Sequence, residues 1–124
     1  MSIRVLVVDD YAPFRLIVRY VLSEESDIEI VGEAPDGEAA VRQAGMLKPD
    51  VVLLDLAMPK LDGWEAIPLI RERSPETRIV ILSGFPEERM RDLARENGVA
   101  AYVEKGDSED AIRRAVREAV PTRA

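Results

Sequence analysis

Residues 51–54, Val51-Val52-Leu53-Leu54, constrain this chain more than any other stretch. Four consecutive β-favouring apolar residues suit a strand covered on both faces, as in a parallel sheet. The run stops on Asp55, after which Pro59 and Asp62-Gly63 break the chain into a loop. A carboxylate at the end of a buried strand is costly unless something compensates it. Taken alone, Asp55 reads as a group that caps the loop behind it. The rest of the chain places other groups in the same position.

Read from the N-terminus, residues 3–8 form a first strand that runs into Asp9-Asp10. Pro13 suits the first turn of a helix, and Phe14, Ile17, Val18, Val21 and Leu22 recur at helical spacing to about Glu25. Residues 28–33 alternate as a half-exposed edge strand does. Asp36-Gly37 opens a second helix with Ala40, Val41, Ala44 and Leu47 on its apolar face, closed by Lys48-Pro49-Asp50. A third helix follows Asp62-Gly63, with Ile67 and Ile70 inward. Pro68 lacks a donor for the carbonyl one turn back, which predicts a bend or a late helix start. Residues 78–82 are a fourth strand ending on Ser83-Gly84. Pro86 opens a fourth helix carrying Met90, Leu93 and Ala94, stopped by Asn97-Gly98. Residues 100–104 are a short fifth strand ending on Lys105-Gly106. Asp107 or Ser108 caps a last helix with Ala111, Ile112, Ala115, Val116 and Ala119 at helical spacing, and Pro121 ends it. Five strands alternating with five helices predict an α/β, doubly wound parallel sheet with right-handed crossovers. At 124 residues the chain fits one such domain.

Composition then removes chemistries. Without cysteine there is no disulfide, thiol nucleophile or cysteine-based metal site; without histidine there is no Ser-His-Asp triad or imidazole ligand. Oxygen ligands remain, and these favour hard cations such as Mg²⁺ or Ca²⁺. A formal net charge of −7 argues against nucleic-acid binding by this chain alone. The apolar runs are strand-length, well short of the roughly 18–20 residues of a membrane span. A strand pattern that begins at Ile3 leaves no room for a signal peptide, so the expected location is cytoplasmic.

In doubly wound sheets, ligands sit beyond the carboxyl ends of the strands. The first strand delivers Asp9 and Asp10 there, the third Asp55, the fourth Ser83 and the fifth Lys105. The second strand delivers nothing comparable. Two like charges about 4 Å apart repel by roughly 4 kcal/mol at an effective dielectric of 20, so three converging carboxylates call for a cation. Oxygen ligands with retained waters point to Mg²⁺. A cation, a lysine and a hydroxyl on one rim also describe a receptor for a phosphoryl group, and an aspartate can itself be the nucleophile that takes it.

Asp9-Asp10, Asp55 with its Met58-Pro59 and Asp62-Gly63 loop, Ser83, Tyr102 and Lys105 occur in the order and on the elements of one family. On these residues nearly the whole chain resembles a response-regulator receiver domain, CheY-like, of bacterial two-component signalling. The resemblance implies a flavodoxin-like fold with strand order 2-1-3-4-5, the order for which a member of this family is the standard example. It implies that residues 1–120 are the receiver domain and 121–124 a C-terminal tail or the start of a linker. Asp55 would accept a phosphoryl group from a histidine kinase or phosphotransfer protein. Asp10, Asp55 and the Ala57 carbonyl would ligate Mg²⁺ (Mn²⁺ as a substitute), with Asp9 acting through water. Lys105 would pair with Asp55 at rest and with the phosphoryl oxygens afterwards. Ser83 would swing to the phosphoryl group and Tyr102 turn inward, altering the surface of the fourth helix, fifth strand and fifth helix. An output domain or protein partner, or a second copy in a homodimer, would dock on that surface. The protein would then be a switch rather than a turnover enzyme.

The chain departs from the family pattern twice. Gly106 stands where many receivers have proline, so the loop is expected to take its shape from glycine's permissive backbone. Ala57, Gly84 and Phe85 would flank the phosphoryl group, and neither Ala57 nor Phe85 can hold an attacking water, which predicts slow self-dephosphorylation. Three other readings compete. A haloacid-dehalogenase-type phosphatase needs an aspartate two positions after its nucleophile, where Tyr11 follows Asp9. A nucleotide or flavin binder needs a glycine-rich phosphate loop, which this sequence lacks. A receiver-like adaptor that is never phosphorylated usually loses the Asp or the Lys, and both are present. Trp64 is read as a loop or helix anchor.

Overall fold

Strands that are apolar on successive residues need cover on both faces, and the chain meets this by wrapping helices on both sides of one sheet. The structure, a computed structural model, describes residues 2–121. The order is β1 (Ile3–Val8), α1 (Ala12–Ser23), β2 (Ile28–Ala34), α2 (Gly37–Leu47), β3 (Val51–Leu54), α3 (Gly63–Arg73), β4 (Arg78–Ser83), α4 (Glu87–Glu96), β5 (Ala101–Glu104) and α5 (Glu109–Ala119). The five strands are parallel and lie in the order β2-β1-β3-β4-β5, as expected. Sequence order reverses at β1, so β1 and β3 are neighbours at the switch point.

Alternate residues of β1, β3 and β4 feed two cores. Val5, Val7, Val51, Leu53, Val80 and Leu82 pack with Val18 and Leu22 of α1 and Ile112 and Val116 of α5. Leu6, Val8, Val52, Leu54 and Ile79 pack on the other face with Ala40 and Ala44 of α2 and Ile67 and Ile70 of α3. The α1–β2 corner is tied to α5 by ion pairs from Arg113 to Glu24 and Glu25 and from Arg117 to Glu25 and Asp27. No helix among the described residues is long and apolar enough to cross a membrane.

Local chemistry sets the helix ends. The Asp36 side chain accepts from the Ala39 amide (2.8 Å) and starts α2. Asp62 and Glu65 form a reciprocal capping box that starts α3 at Gly63, so the helix is not delayed by Pro68, which stands inside it with an exposed ring. Ser108, not Asp107, caps α5 by accepting from the Ala111 amide (3.2 Å). Ile17 lies at the edge of the α1 stripe and is 53% exposed, beside exposed Leu16 and Tyr20. In α4 only Ala94 is buried; Met90 is half-buried and Leu93 exposed, so this helix packs less fully than its apolar spacing predicts. Of the stretch read as a tail or linker, residues 122–124 lie outside the described residues.

Candidate functional site

Three acids meet at one rim because β1 and β3 are neighbours and each is followed at once by aspartate. The Asp9 amide donates to the Ala34 carbonyl (3.1 Å) and the Asp55 amide to the Val8 carbonyl (3.0 Å), so backbone bonds fix both residues past the strand ends. Asp9 is 2% and Asp55 4% exposed, while Asp10 faces solvent. Each offers a carboxylate oxygen, and these oxygens lie within 4.8 Å of one another.

Lys105 supplies part of the compensating charge. Its amide donates to the Ser83 carbonyl (2.8 Å), which anchors it after β5. Its Nζ stands 2.8 Å from Asp9, 3.4 Å from Asp55 and 4.6 Å above the Phe14 ring. The resemblance pairs Lys105 with Asp55 at rest; in the structure it bridges both acids and is closer to Asp9. Burial raises the Asp55 carboxyl above the ordinary carboxylate range and the Asp9 charge raises it further, while Lys105 and the Ala57 amide pull it back. For Lys105 burial acts downward, but the hydrogen bond to Asp9 and the charges of Asp55 and Asp9 outweigh it, so the ammonium is held above its usual value. Three carboxylates against one ammonium leave negative charge on hard oxygen donors, and the set fits a divalent cation.

The β4–α4 loop closes the other side. Ser83 is fully buried, and its Oγ accepts from the Phe85 amide (3.2 Å). The Tyr102 hydroxyl donates to the Phe85 carbonyl (2.7 Å), and burial raises this phenol above its ordinary value. Ala57 and Phe85 share a groove of about 480 Å³ with Asp10, Met58, Trp64 and Met90. Gly84 lies between Ser83 and Phe85, with open space where a side chain would stand. Trp64 is half-buried against the α2–α3 core and forms one wall of the groove.

One expectation is corrected. Gly106 does not take a left-handed backbone, and a Cβ there would meet nothing within 4 Å, so glycine is not what shapes this loop. Asp107 shapes it instead: its amide donates to the Glu104 carbonyl (2.9 Å) and its carboxylate accepts from the Glu104 amide (3.2 Å).

Sequence reasoning missed other contributors. Gly63 admits the first turn of α3 against the phosphoacceptor candidate's own backbone, since a Cβ there would stand 2.5 Å from the Asp55 carbonyl oxygen. Gly37 likewise lets α2 approach the β3–α3 loop, with its would-be Cβ 2.0 Å from the Leu61 carbonyl oxygen. The strand expected to deliver nothing comparable to the rim, β2, supplies Glu33 to Arg15, whose Nη1 holds the Asp9 carbonyl (2.6 Å). The glycines carried a signal in their Asp-Gly pairs; Arg15 and Glu33, 18 positions apart, carried none.

A family model described as response regulator receiver domain matches residues 5–117. The chain is similar to the response regulator protein VraR of Staphylococcus epidermidis, 40% identical over 118 residues that make up 95% of this chain and 56% of that protein. It thus spans little more than half of that relative's length. Among solved structures, the response regulator domain of Thermotoga maritima CheB matches with a TM-score of 0.90 and 32% identity, covering 100% of both chains. A chain of the CheX–CheY–BeF3–Mg²⁺ complex from Borrelia burgdorferi matches with a TM-score of 0.84 and 26% identity, over 91% of this chain and 85% of that one.

Proposed function

The chain belongs to the response regulator receiver domain family of two-component systems, and from that premise we propose that it is a switch thrown by phosphorylation of Asp55. The observation that carries this reading is the rim itself: Asp9, Asp10 and Asp55 within 4.8 Å, with Lys105 spanning Asp9 and Asp55. The donor is a phosphohistidine of a kinase or phosphotransfer protein. An Asp55 carboxylate oxygen bonds to phosphorus as the P–N bond breaks, and the electron pair leaves on the donor imidazole. Asp10, Asp55 and the Ala57 carbonyl would hold Mg²⁺, with Asp9 acting through water. The ion would supply charge neutralisation for the transferring phosphoryl oxygens. Lys105 is anchored at the same rim to pair with those oxygens once its acid partners are engaged elsewhere. The Lys105 contact with Phe14 lets the ammonium keep a favourable surface while it changes partners.

Transmission runs through the β4–α4 loop. If Ser83 Oγ turns to the phosphoryl group, the Phe85 amide loses its acceptor and the Tyr102 hydrogen bond to the Phe85 carbonyl is disturbed. The incompletely packed α4 then changes its presentation along α4, β5 and α5, where an output domain or protein docks. The chain works as a cytoplasmic binding module, not a turnover enzyme, and a homodimer through the same face is the alternative use of that surface.

Intact mass after incubation with acetyl phosphate and Mg²⁺ tests the reading. One added phosphoryl group is expected on the native chain and none on Asp55→Asn; equal labelling of both, or none on either, would refute it.

A further inference from the structure

Asp10 faces solvent, so packing does not aim its carboxylate; the peptide that carries it does. That peptide begins at the Asp9 carbonyl, and Arg15 Nη1 on α1 donates to this oxygen at 2.6 Å. The same guanidinium donates through Nε to Glu33 Oε1 at 3.2 Å, and Glu33 also pairs with Arg19. Glu33 stands on β2 opposite Val7 of β1, two residues before Asp9, so its own position is fixed by the sheet. Asp9 is further held by its amide on the Ala34 carbonyl, and one of its carboxylate oxygens accepts from the Tyr11 amide (2.9 Å). Arg15 completes the frame from the helix side, and the planar fork of a guanidinium suits two acceptors lying in different directions.

We propose that Arg15, locked by Glu33, is a positioning residue for metal binding, which sets the Asp9–Asp10 peptide so that the two carboxylates converge on one ion. The inference rests on the metal-dependent receiver reading above and extends it to two residues outside the ligand set. Its side chain is 18% exposed, and its contact is with the Asp9 carbonyl and Glu33, so its charge is directed at Glu33 rather than spent neutralising the acid site. Outer partners that orient metal ligands typically change affinity by about 10–100-fold when removed.

The sign of the effect separates positioning from bulk electrostatics. Removing a cation near an acidic site makes the site more negative and strengthens cation binding. Arg15→Met and Arg19→Met make the same change in charge, and both remove a partner of Glu33, but only Arg15 touches Asp9. The Mg²⁺ dissociation constant is measured on the full chain from melting temperature against MgCl2 concentration, with urea unfolding in EDTA as the record of stability without metal. Arg15→Met is expected to weaken Mg²⁺ binding about tenfold. Arg15→Lys is expected to recover part of that loss, Glu33→Gln to weaken binding by less, and Arg19→Met to leave it unchanged or slightly tighter. A purely structural role would lower the urea midpoint and leave the dissociation constant alone. Unchanged or tighter binding by Arg15→Met, or equal shifts in both arginine variants, overturns the inference. If Arg15→Met does not fold, Arg15→Lys decides, because it keeps the charge and loses the two-armed fork, and a native-like constant there overturns it. A native chain that binds no Mg²⁺ overturns the parent reading and this inference together; native binding with insensitive variants overturns this inference alone.

Discussion

Burial and the neighbouring Asp9 charge both oppose ionisation of Asp55, and Lys105 with the Ala57 amide offsets part of that opposition. The sign of the resulting pH dependence follows from linkage. A carboxyl whose folded pKa is raised favours the folded state most when it is neutral. That contribution is complete below the unfolded value of about 3.9 and is lost as pH rises through the raised folded value. Asn at this position is neutral throughout, and Lys105 keeps its 2.8 Å contact with Asp9. In EDTA, Asp55→Asn is therefore expected to be more stable than the native chain at pH 7, with the gap closing as pH falls towards 4. Urea midpoints across that range check it, and a more stable native chain at pH 7 would contradict it. A second expectation lies beside it. Ala57 and Phe85 share the groove with Asp10, and neither side chain can hold an attacking water. Acyl phosphate on Asp55 is therefore expected to outlast minutes in Mg²⁺, and complete decay within seconds would exclude this view.

At the scale of elements, the site depends on backbone approaches that side-chain patterns do not display. α3 reaches the Asp55 carbonyl only because Gly63 has no Cβ, and the Gly63 amide donates to the Leu56 carbonyl at 3.0 Å. Gly63→Ala forces α3 and the Asp55 backbone apart. Overpacking of this kind costs typically about 1–3 kcal/mol. The variant is expected to lose that much stability in urea and to take phosphoryl groups from acetyl phosphate more slowly; native stability together with native labelling would rule out the close approach. Lys60, in the same loop, stands at φ 67, a left-handed conformation that glycine takes more easily, and its 3.7 Å pair with Asp36 ties the loop to the start of α2. These contacts explain what the sequence could and could not disclose. Strands and helices were legible because apolar period and capping residues are local: Asp36, Asp62 and Ser108 each start a helix within three residues of their partners. The packing of α4 was less legible. Its Met90 and Leu93 have helical spacing, yet they border an open groove instead of the sheet. Of the two outcomes Pro68 allows, a bend or a late start, the late start is excluded because the capping box at Asp62 opens α3 ahead of it.

Across the whole molecule, the acid rim was legible because strand order in a doubly wound sheet fixes which strand ends are neighbours. The residues that frame the rim were not, because Glu33 and Arg15 meet only after β2 pairs with β1. Lys105 bridging Asp9 as well as Asp55 was also beyond reach, since side-chain choice between two adjacent acids depends on distances no sequence carries. What unites these scales is a sheet whose switch point collects negative charge around one strand-end acid and surrounds it with one ammonium, one hydroxyl and room for a hard cation. The most direct test locates the modified residue itself. The chain is incubated with acetyl phosphate and Mg²⁺, reduced with borohydride, which converts an aspartyl phosphate to homoserine, and digested for peptide mass spectrometry. Homoserine at position 55, dependent on Mg²⁺ and lost when Lys105 is replaced by Met, is the expected result; homoserine at another aspartate, or none at all, would contradict the account.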